Sequence, residues 1–198
     1  MEAKRKLKIK SDFIDYYDYL SSSDSNVEYN RNTNNRLTIL EGLSRLRGIG
    51  IATIETKAVR QIQSEYLILH NEYNSTIMKK SEAELIYPNS LASECASNNL
   101  TIYRLLQIGK RRFKVILKLT DSNINDYSMV SIEEIAPMYN IALGFPIYSI
   151  DYKITQNGLF AIRVNNIENL KSYDIDKIIS PDEIMDLIYD AMMKYNKL

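Results

Sequence analysis

The chain has 198 residues, enough for one folded domain or for one domain with a small satellite. Hydrophobic residues make up 45% of it and charged residues 25%, as is usual for a globular protein. Lysine plus arginine and aspartate plus glutamate both number 25, so the formal net charge is zero. This balance argues against a general nucleic-acid binder, which carries a strong positive charge.

The counts of cysteine and histidine limit the disulfides, zinc sites and nucleophilic sites that the chain could form. Cys95 is the only cysteine and His70 the only histidine, so an internal disulfide is excluded and zinc lacks its usual ligands. A Cys–His nucleophilic pair would need both residues, and each lies in an apolar segment. The sequence has no secretory signal and no run of ~18 apolar residues, so we expect a cytoplasmic protein without membrane contact.

The N-terminal part reads as strands alternating with helices. Gly48 marks the end of a helix whose leucines recur at helical spacing. In chain order we predict a strand over 6–10, a helix over 11–20, a loop over 21–36, a helix over 37–47, a buried strand over 48–56, a short helix over 56–63 and a buried strand over 65–70.

The C-terminal part contains two hairpin signals and a well-marked last helix. Gly109–Lys110 and Asn157–Gly158 are tight-turn pairs between apolar runs, the second typical of a type I′ turn. Capping boxes start helices at Ser81 and at Ser180, the latter followed by Pro181. We predict helices over 81–87 and 90–98, hairpin strands over 100–109 and 111–120, a loop over 120–130, a helix from 131–136 to Gly144, a hairpin over 146–164 and a helix over 181–195.

These elements predict an α/β (α+β mixed) fold, with a mixed sheet and packed helices. No composition shift divides the chain sharply. We place the domain boundary between an N-terminal α/β segment, 1–80, and a C-terminal lobe, 81–198.

Two polar residues follow apolar runs in the last hairpin. Asp151 follows 147–150 and Asn165 follows 159–164. On paired strands a carboxylate and an amide oxygen would share one face and suit Mg²⁺, which neutralises and orients phosphate groups. The alternative is that both side chains only satisfy turns or backbone groups.

This order of elements resembles the C-terminal lobe of ATP-grasp ligases. The resemblance rests on Ile150-Asp151-Tyr152, on Val164-Asn165 and on the helix opened by Ser180, and it covers roughly residues 85–195. The hairpin over 103–118 is similar to one that carries a basic residue toward nucleotide phosphates in that family. The resemblance implies ATP and Mg²⁺ as cofactors, with Asp151 and Asn165 as metal ligands.

One position departs from the family pattern. The family's central glutamate, two residues before the asparagine, falls on Arg163. An arginine cannot ligate a cation and would repel one at ~4 Å by several kcal/mol. The chain also has six glycines and no glycine-rich loop to clamp ATP. The resemblance therefore implies a degenerate, non-catalytic protein that binds a phosphorylated small molecule or an acidic partner.

Five cations surround the first hairpin and are candidates for binding phosphate: Arg104, Lys110, Arg111, Arg112 and Lys114. Two of them, Arg112 and Lys114, share a strand face with Phe113 opposite. The alternative is that these residues are charged only because the turn is exposed to solvent. The orientation of Arg163 discriminates between a binding site and a vestigial cleft. If its side chain points into the cleft, it can bind a phosphate or carboxylate in place of the lost cation.

An acidic stripe near the N-terminus is a second metal candidate. In a helix from Ser11, the carboxylates of Asp12, Asp15 and Asp18 stand at i, i+3 and i+6 and could hold Mg²⁺ or Ca²⁺. This would support a magnesium-dependent enzyme. The alternative is that they offset the helix dipole.

The segment 11–18, with Tyr29, Arg31 and the ATP-grasp-like tail, resembles a group of short phage-encoded proteins. That resemblance implies a host-cytoplasmic protein. It leaves open an interaction protein that targets a host protein through a tyrosine-rich surface.

Overall fold

The computed structural model describes residues 37–96, 100–119, 127–137, 143, 145–166 and 173–195. The helices are α1 (Ile39–Gly48), α2 (Lys80–Ile86) and α3 (Pro181–Tyr195), with 3-10 turns at Val59–Gln61 and Ile175–Lys177. The strands are β1 (Lys57–Ala58), β2 (Tyr66–His70), β3 (Ser75–Lys79), β4 (Leu91–Cys95), β5 (Thr101–Ile108), β6 (Arg111–Leu119), β7 (Tyr127–Ile135), β8 (Ile147–Thr155) and β9 (Gly158–Asn165).

The strands form two antiparallel sheets. The larger has five strands in the order β7-β6-β5-β8-β9, and the smaller has four in the order β1-β4-β2-β3. In the larger sheet, β5 lies between β6 and β8, so its residues have partners on both sides. The smaller sheet spans residues on either side of the expected boundary between 80 and 81, which falls inside α2.

The main core lies between the two sheets. Ile68 and Ile77 of the smaller sheet belong to the same buried cluster as Ile102 and Leu106 of the larger one. The 3-10 turn at Ile175–Lys177 and the inner face of α3 complete this cluster. Burial of this apolar surface is the main stabilising term, at roughly 25 cal/mol per Å² removed from water. The sheets are therefore packed face to face.

Helix α1 covers the other face of the larger sheet. Its N-cap Thr38 and Glu41 form a reciprocal capping box. Gly42 lets the helix approach β9 closely, because a Cβ at that position would lie 2.9 Å from the Cβ of Val164. The backbone N–H of Leu37 donates to Asn166 Oδ1 at 3.0 Å, so the start of α1 is tied to the end of β9.

The α+β class is confirmed, and several local predictions hold. Helix α1, strand β2, the β5–β6 and β8–β9 hairpins and α3 all form where the sequence predicts them. The predicted short helix over 56–63 is reduced to the 3-10 turn at Val59–Gln61, preceded by β1. The predicted elements over 6–10 and 11–20 lie outside the described residues. No helix in the described part of the chain is long and apolar enough to cross a membrane.

One predicted helix is wrong, and the early start expected for a second is excluded. Residues 90–98 were expected to be helical, but Leu91–Cys95 is strand β4, held between β1 and β2. The helix expected to begin between 131 and 136 is also absent there, because Tyr127–Ile135 pairs with β6 as β7. In both cases pairing with another strand outweighs a weak local helical preference. Residues 138–142, further along the second prediction, lie outside the description.

Three smaller predictions need correction. The strand expected over 48–56 contains only one bridge, between Thr53 and Ala161. The capping box expected at Ser81 does not form, because α2 begins one residue earlier and Lys79 caps it without a side-chain bond. In the last hairpin Gly158 already pairs with Thr155 as a strand residue, so the turn lies one residue earlier than expected.

Candidate functional site

Three charged residues lie side by side across neighbouring strands of the larger sheet. Asp151 on β8 is opposite Arg104 on β5 and opposite Arg163 on β9. All three occupy the sheet face that packs into the main core, and their exposed fractions are 1%, 2% and 4% respectively. We call this arrangement the ion triad.

Both carboxylate oxygens of Asp151 accept hydrogen bonds from the two arginines. Arg104 binds it in a bidentate manner, from Nε to Oδ1 at 2.6 Å and from Nη2 to Oδ2 at 3.0 Å. Arg163 donates to Oδ2 from Nε at 2.9 Å and from Nη2 at 2.7 Å. Oδ1 therefore accepts one bond and Oδ2 accepts three, so both oxygens are engaged by guanidinium groups.

The surroundings keep Asp151 ionised. Burial alone raises the pKa of its carboxyl group, but the positive charges of Arg104 and then Arg163 outweigh that effect and lower the pKa to about 2 from 3.8. Burying a charge is costly unless it is paired and hydrogen-bonded, and here both conditions are met. The triad is therefore a stable charged cluster inside an otherwise apolar core.

Two tyrosines that the sequence analysis did not single out complete the environment of Arg104. Its Nη1 donates to Tyr127 Oη at 2.9 Å and also to Tyr173 Oη. The guanidinium carbon lies 4.8 Å from the ring centroid of Tyr127, within cation–π distance. The sequence contained one usable signal, because Arg104 alternates with Ile102 and Leu106 on the apolar face of its strand.

A buried lysine connects the same face to the smaller sheet. Lys153, two residues after Asp151 on β8, is 8% exposed. Its Nζ donates to the backbone carbonyl of Glu94 at 3.0 Å, which joins β8 to β4. The sheet face that carries the triad is thus closed over by the smaller sheet through both apolar and polar contacts.

The other cations of the first hairpin do not join the triad. Arg112 donates to the Ala136 carbonyl from Nε and Nη2, and Lys114 lies 3.3 Å from Glu133. Both side chains project from the outer face of β6, opposite the buried Phe113, as expected. Lys110 is in the β5–β6 turn. Of the five cations predicted around this hairpin, the structure therefore brings Arg104 alone to Asp151.

Arg111 has a separate role. It pairs with Glu134 on β7 and with Glu183 in the first turn of α3, at 2.6 and 2.5 Å. The hydrogen bond from Arg111 lowers the pKa of Glu134. This pairing fastens the N-terminus of α3 to the sheet.

Of the predicted metal ligands, the structure describes Asp151 and Asn165. Asn165 is half-buried and lies opposite Ser149, two pairs along from the Asp151–Arg163 pair. Asp12, Asp15 and Asp18 lie outside the described residues, so a site there stays a prediction. Within the described residues no three acidic, histidine or cysteine side chains are grouped to hold a metal. At Asp151 a cation does not fit the arrangement as it stands, because the guanidiniums occupy the carboxylate oxygens.

Another buried polar cluster joins three strands of the smaller sheet. His70 Nδ1 lies 3.0 Å from Ser75 Oγ on β3, and its Nε2 lies 2.9 Å from Ser93 Oγ on β4. Burial lowers the pKa of the imidazole from 6.5 to about 4, so it is neutral near pH 7. Both serines are fully buried, so this cluster holds the sheet together and is closed to substrate.

No protein-family model matches the chain, and no curated protein matches it either. Solved structures do. The D-alanine–D-alanine ligase of Bacillus anthracis, complexed with ATP, has a TM-score of 0.50 at 10% identity. That match covers 81% of this chain, a larger share than residues 85–195, and 66% of the ligase, slightly under two thirds of its length.

Two further solved structures resemble this chain at similarly low sequence identity. The RimK domain ATP-grasp protein of Sphaerobacter thermophilus has a TM-score of 0.45 at 15% identity, covering 79% of this chain and 67% of its own. The macrocyclase MdnC of Microcystis aeruginosa, bound with precursor peptide MdnA, has a TM-score of 0.48 at 9% identity, covering 98% and 72%. The likeness to the Bacillus ligase shows that the fold is ATP-grasp-like.

Proposed function

We propose that this chain is a non-ligating protein with an ATP-grasp-like fold, which acts by binding an acidic partner. The ion triad is the observation that carries the proposal. Asp151, which the family resemblance implies as a metal ligand, instead receives four hydrogen bonds from Arg104 and Arg163. A positive charge belonging to the chain itself stands where a catalytic cation would be needed.

The energetics disfavour a metal at this position. A divalent ion about 4 Å from one guanidinium meets a repulsion of roughly 8 kcal/mol at an effective dielectric of 20. To ligate it, Asp151 would have to release bonds that are fully buried. Breaking a buried pair by removing one partner typically costs about 3–5 kcal/mol.

The packing of the two sheets supports the same conclusion. Ile68 and Ile77 pack in one cluster with Ile102 and Leu106, and Lys153 reaches across to β4. A nucleotide placed between the sheets next to Asp151 would have to displace these contacts. Ligation would therefore require the core itself to open.

The cations on the outer face favour a macromolecular partner over a phosphorylated small molecule. Arg112 and Lys114 project from one face of β6. Small ligands bind in concave sites that bury most of their surface, whereas a strand face offers a broad and shallow surface. An acidic protein surface can contact such a row, in competition with the exposed and individually weak pair Lys114–Glu133.

Calorimetry with ATP, in the presence and absence of Mg²⁺, tests the absence of ligation. We expect no magnesium-dependent heat at millimolar ligand and no release of ADP. Arg104→Met/Arg163→Glu is the control, because it removes both guanidiniums from Asp151 and adds an oxygen ligand beside Asp151 and Asn165. That variant should gain magnesium binding. Magnesium-dependent ATP binding and ADP formation by the unaltered chain would contradict the proposal.

Binding to poly-glutamate at low ionic strength tests the acidic partner. We expect the chain to bind this probe and the variant Arg112→Glu/Lys114→Glu to lose binding. Lys79→Glu/Lys80→Glu makes the same change in net charge away from β6 and should bind as the unaltered chain does. Equal loss in both variants would show that only overall charge matters.

An exposed apolar segment favours a second candidate function, binding of a protein through a hydrophobic surface. Leu85, Ile86 and Tyr87, at the end of α2, are 86%, 57% and 41% exposed. Contiguous exposed apolar groups commonly mark interaction sites. Cross-linking in a bacterial lysate, with Leu85→Ser/Ile86→Ser as the comparison, tests this candidate. Identical cross-linked products from both proteins would contradict it.

A further inference from the structure

A short extended segment continues the larger sheet beyond β9. The backbone N–H of Ile54 donates to the Ala161 carbonyl at 2.8 Å, and the Ala161 N–H donates to the Ala52 carbonyl at 2.9 Å. These two bonds form a parallel bridge between Thr53 and Ala161. We call residues 51–56 the edge segment.

The outer side of the edge segment has backbone groups that no described residue bonds. In an extended chain, main-chain groups of alternate residues point to opposite sides. Since the residues on either side of Thr53 bond to β9, the N–H and C=O groups of Thr53 and Glu55 point away from it. Within the described part of the chain, the backbone groups of Thr53 and Glu55 form no backbone hydrogen bond. Such an edge can pair with a further strand.

A depression lies against the edge segment. Its volume is about 510 Å³, and it is lined by Arg47, Gly50 and the edge segment itself. Ile54 turns into the main core, while Ile51 packs on the α1 side, so the segment is anchored from both faces. The backbone of Thr53 is thereby held in place beside an open groove.

Arg47 provides a charge at the rim of this groove. Its Nε donates to Thr53 Oγ1 at 2.6 Å, which holds the guanidinium beside the open backbone groups. The residue is exposed, and within the described residues it forms no ion pair. A carboxylate on an incoming chain would complement it, since arginine binds carboxylates through paired N–H donors.

We propose that the edge segment binds an extended peptide segment of a partner protein as an added strand, with an acidic side chain of that peptide directed to Arg47. The alternating donors and acceptors of Thr53 and Glu55 match the main chain of a strand, as in other cases of strand addition. Affinity comes from backbone hydrogen bonds, and Arg47 selects for the acidic residue. This goes beyond the proposed function and does not depend on the triad or on β6.

Two substitutions at Thr53 separate backbone pairing from side-chain contact. Thr53→Pro removes the outward N–H, whereas both bonds to β9 are made by its neighbours and remain. Thr53→Val keeps the N–H and removes only the hydroxyl that holds Arg47. Arg47→Glu reverses the rim charge without touching the segment's backbone.

Selection of random heptapeptides displayed on phage, with the full chain as bait, provides the probe. We expect the selected peptides to contain an acidic residue among strand-forming ones. A synthetic selected peptide should bind Thr53→Pro at least ten-fold more weakly and Arg47→Glu several-fold more weakly, while Thr53→Val binds within a few-fold. Amide hydrogen exchange at Thr53 and Glu55 should slow on binding.

Other outcomes overturn the inference. No enrichment over an uncoated surface, or selected peptides that bind Thr53→Pro as tightly as the unaltered chain, would show that this edge takes no peptide. If Thr53→Pro fails to fold, backbone N-methylation of the selected peptide replaces it, and unchanged affinity would again overturn the inference. A concentration-dependent dimer that Thr53→Pro abolishes would assign the edge to a second copy instead.

Discussion

Arg163 and Asp151 lie directly opposite each other on adjacent strands, and Nε and Nη2 of the arginine contact the same carboxylate oxygen, Oδ2. Arg104 approaches from the strand on the other side and contacts both oxygens. The carboxylate is thus held from both sides on the core-facing side of the sheet. This arrangement makes Asp151 the shared partner of two buried cations, with consequences for stability.

Removing the shared carboxylate should cost more than removing either cation. Asp151→Asn leaves two buried guanidiniums without their counter-ion, and we expect a loss of roughly 3–5 kcal/mol in the free energy of unfolding. Arg163→Met leaves the Arg104–Asp151 pair intact and should cost clearly less. Urea denaturation measures both. A smaller loss for Asp151→Asn than for Arg163→Met would show that the triad is not organised around the carboxylate.

The buried histidine should make the fold sensitive to mild acid. The pKa of His70 is lowered by burial to about 4, below its usual 6.5, so folding favours the neutral ring. Its contribution is complete above pH 6.5 and is lost as the pH falls toward 4, about 3 kcal/mol in all. His70→Gln should remove this part of the pH dependence. Parallel stability curves for the two proteins between pH 6.5 and 4 would contradict the assignment.

A second acid transition should follow at lower pH. Burial raises the pKa of Asp151, but the charges of Arg104 and Arg163 bring it down to about 2, below the usual 3.8. Its contribution is present above pH 3.8 and is lost as the pH falls toward 2. Unfolding followed by circular dichroism should therefore be less steep in this range for Asp151→Asn, with Asp182→Asn, an exposed carboxylate, as the control.

The β5–β6 turn should not tolerate a side chain. Gly109 has a φ of +56°, and a Cβ there would lie 2.6 Å from the Leu187 carbonyl oxygen of α3. Gly158 also has a positive φ, +119°, but a Cβ there meets nothing within 4 Å. Gly158→Ala should cost about 1–2 kcal/mol from backbone strain alone, and Gly109→Ala should cost more. Equal thermal shifts would mean that α3 does not press on this turn.

The parts of the fold that the sequence predicts correctly are governed by local chemistry. The last helix has Ser180 and Pro181 at its start, and the hairpins have glycine turns between apolar runs. Strands β4 and β7 were missed because their conformation depends on pairing with other strands rather than on their own sequence. Ala92, for example, pairs with Leu69 on one side and Lys57 on the other.

The sequence singled out Arg104, Asp151 and Arg163, but it implied Asp151 as a metal ligand and not as the shared partner of two arginines. It also did not tell which cation of the first hairpin reaches Asp151. Register decides this, and a shift of one residue would turn every side chain to the other face. The arginine in an apolar strand pattern was the available sign of a buried ion pair.

Titration with Mn²⁺ tests the central claim most directly, because this paramagnetic ion broadens the NMR signals of nearby amides and substitutes for Mg²⁺ at oxygen ligands. We expect the amide signals near Asp151 and Asn165 to stay sharp at millimolar Mn²⁺ in the unaltered chain and to broaden in Arg104→Met/Arg163→Glu. Selective broadening of these signals in the unaltered chain would contradict it, since a cation would then occupy the place assigned to the arginine.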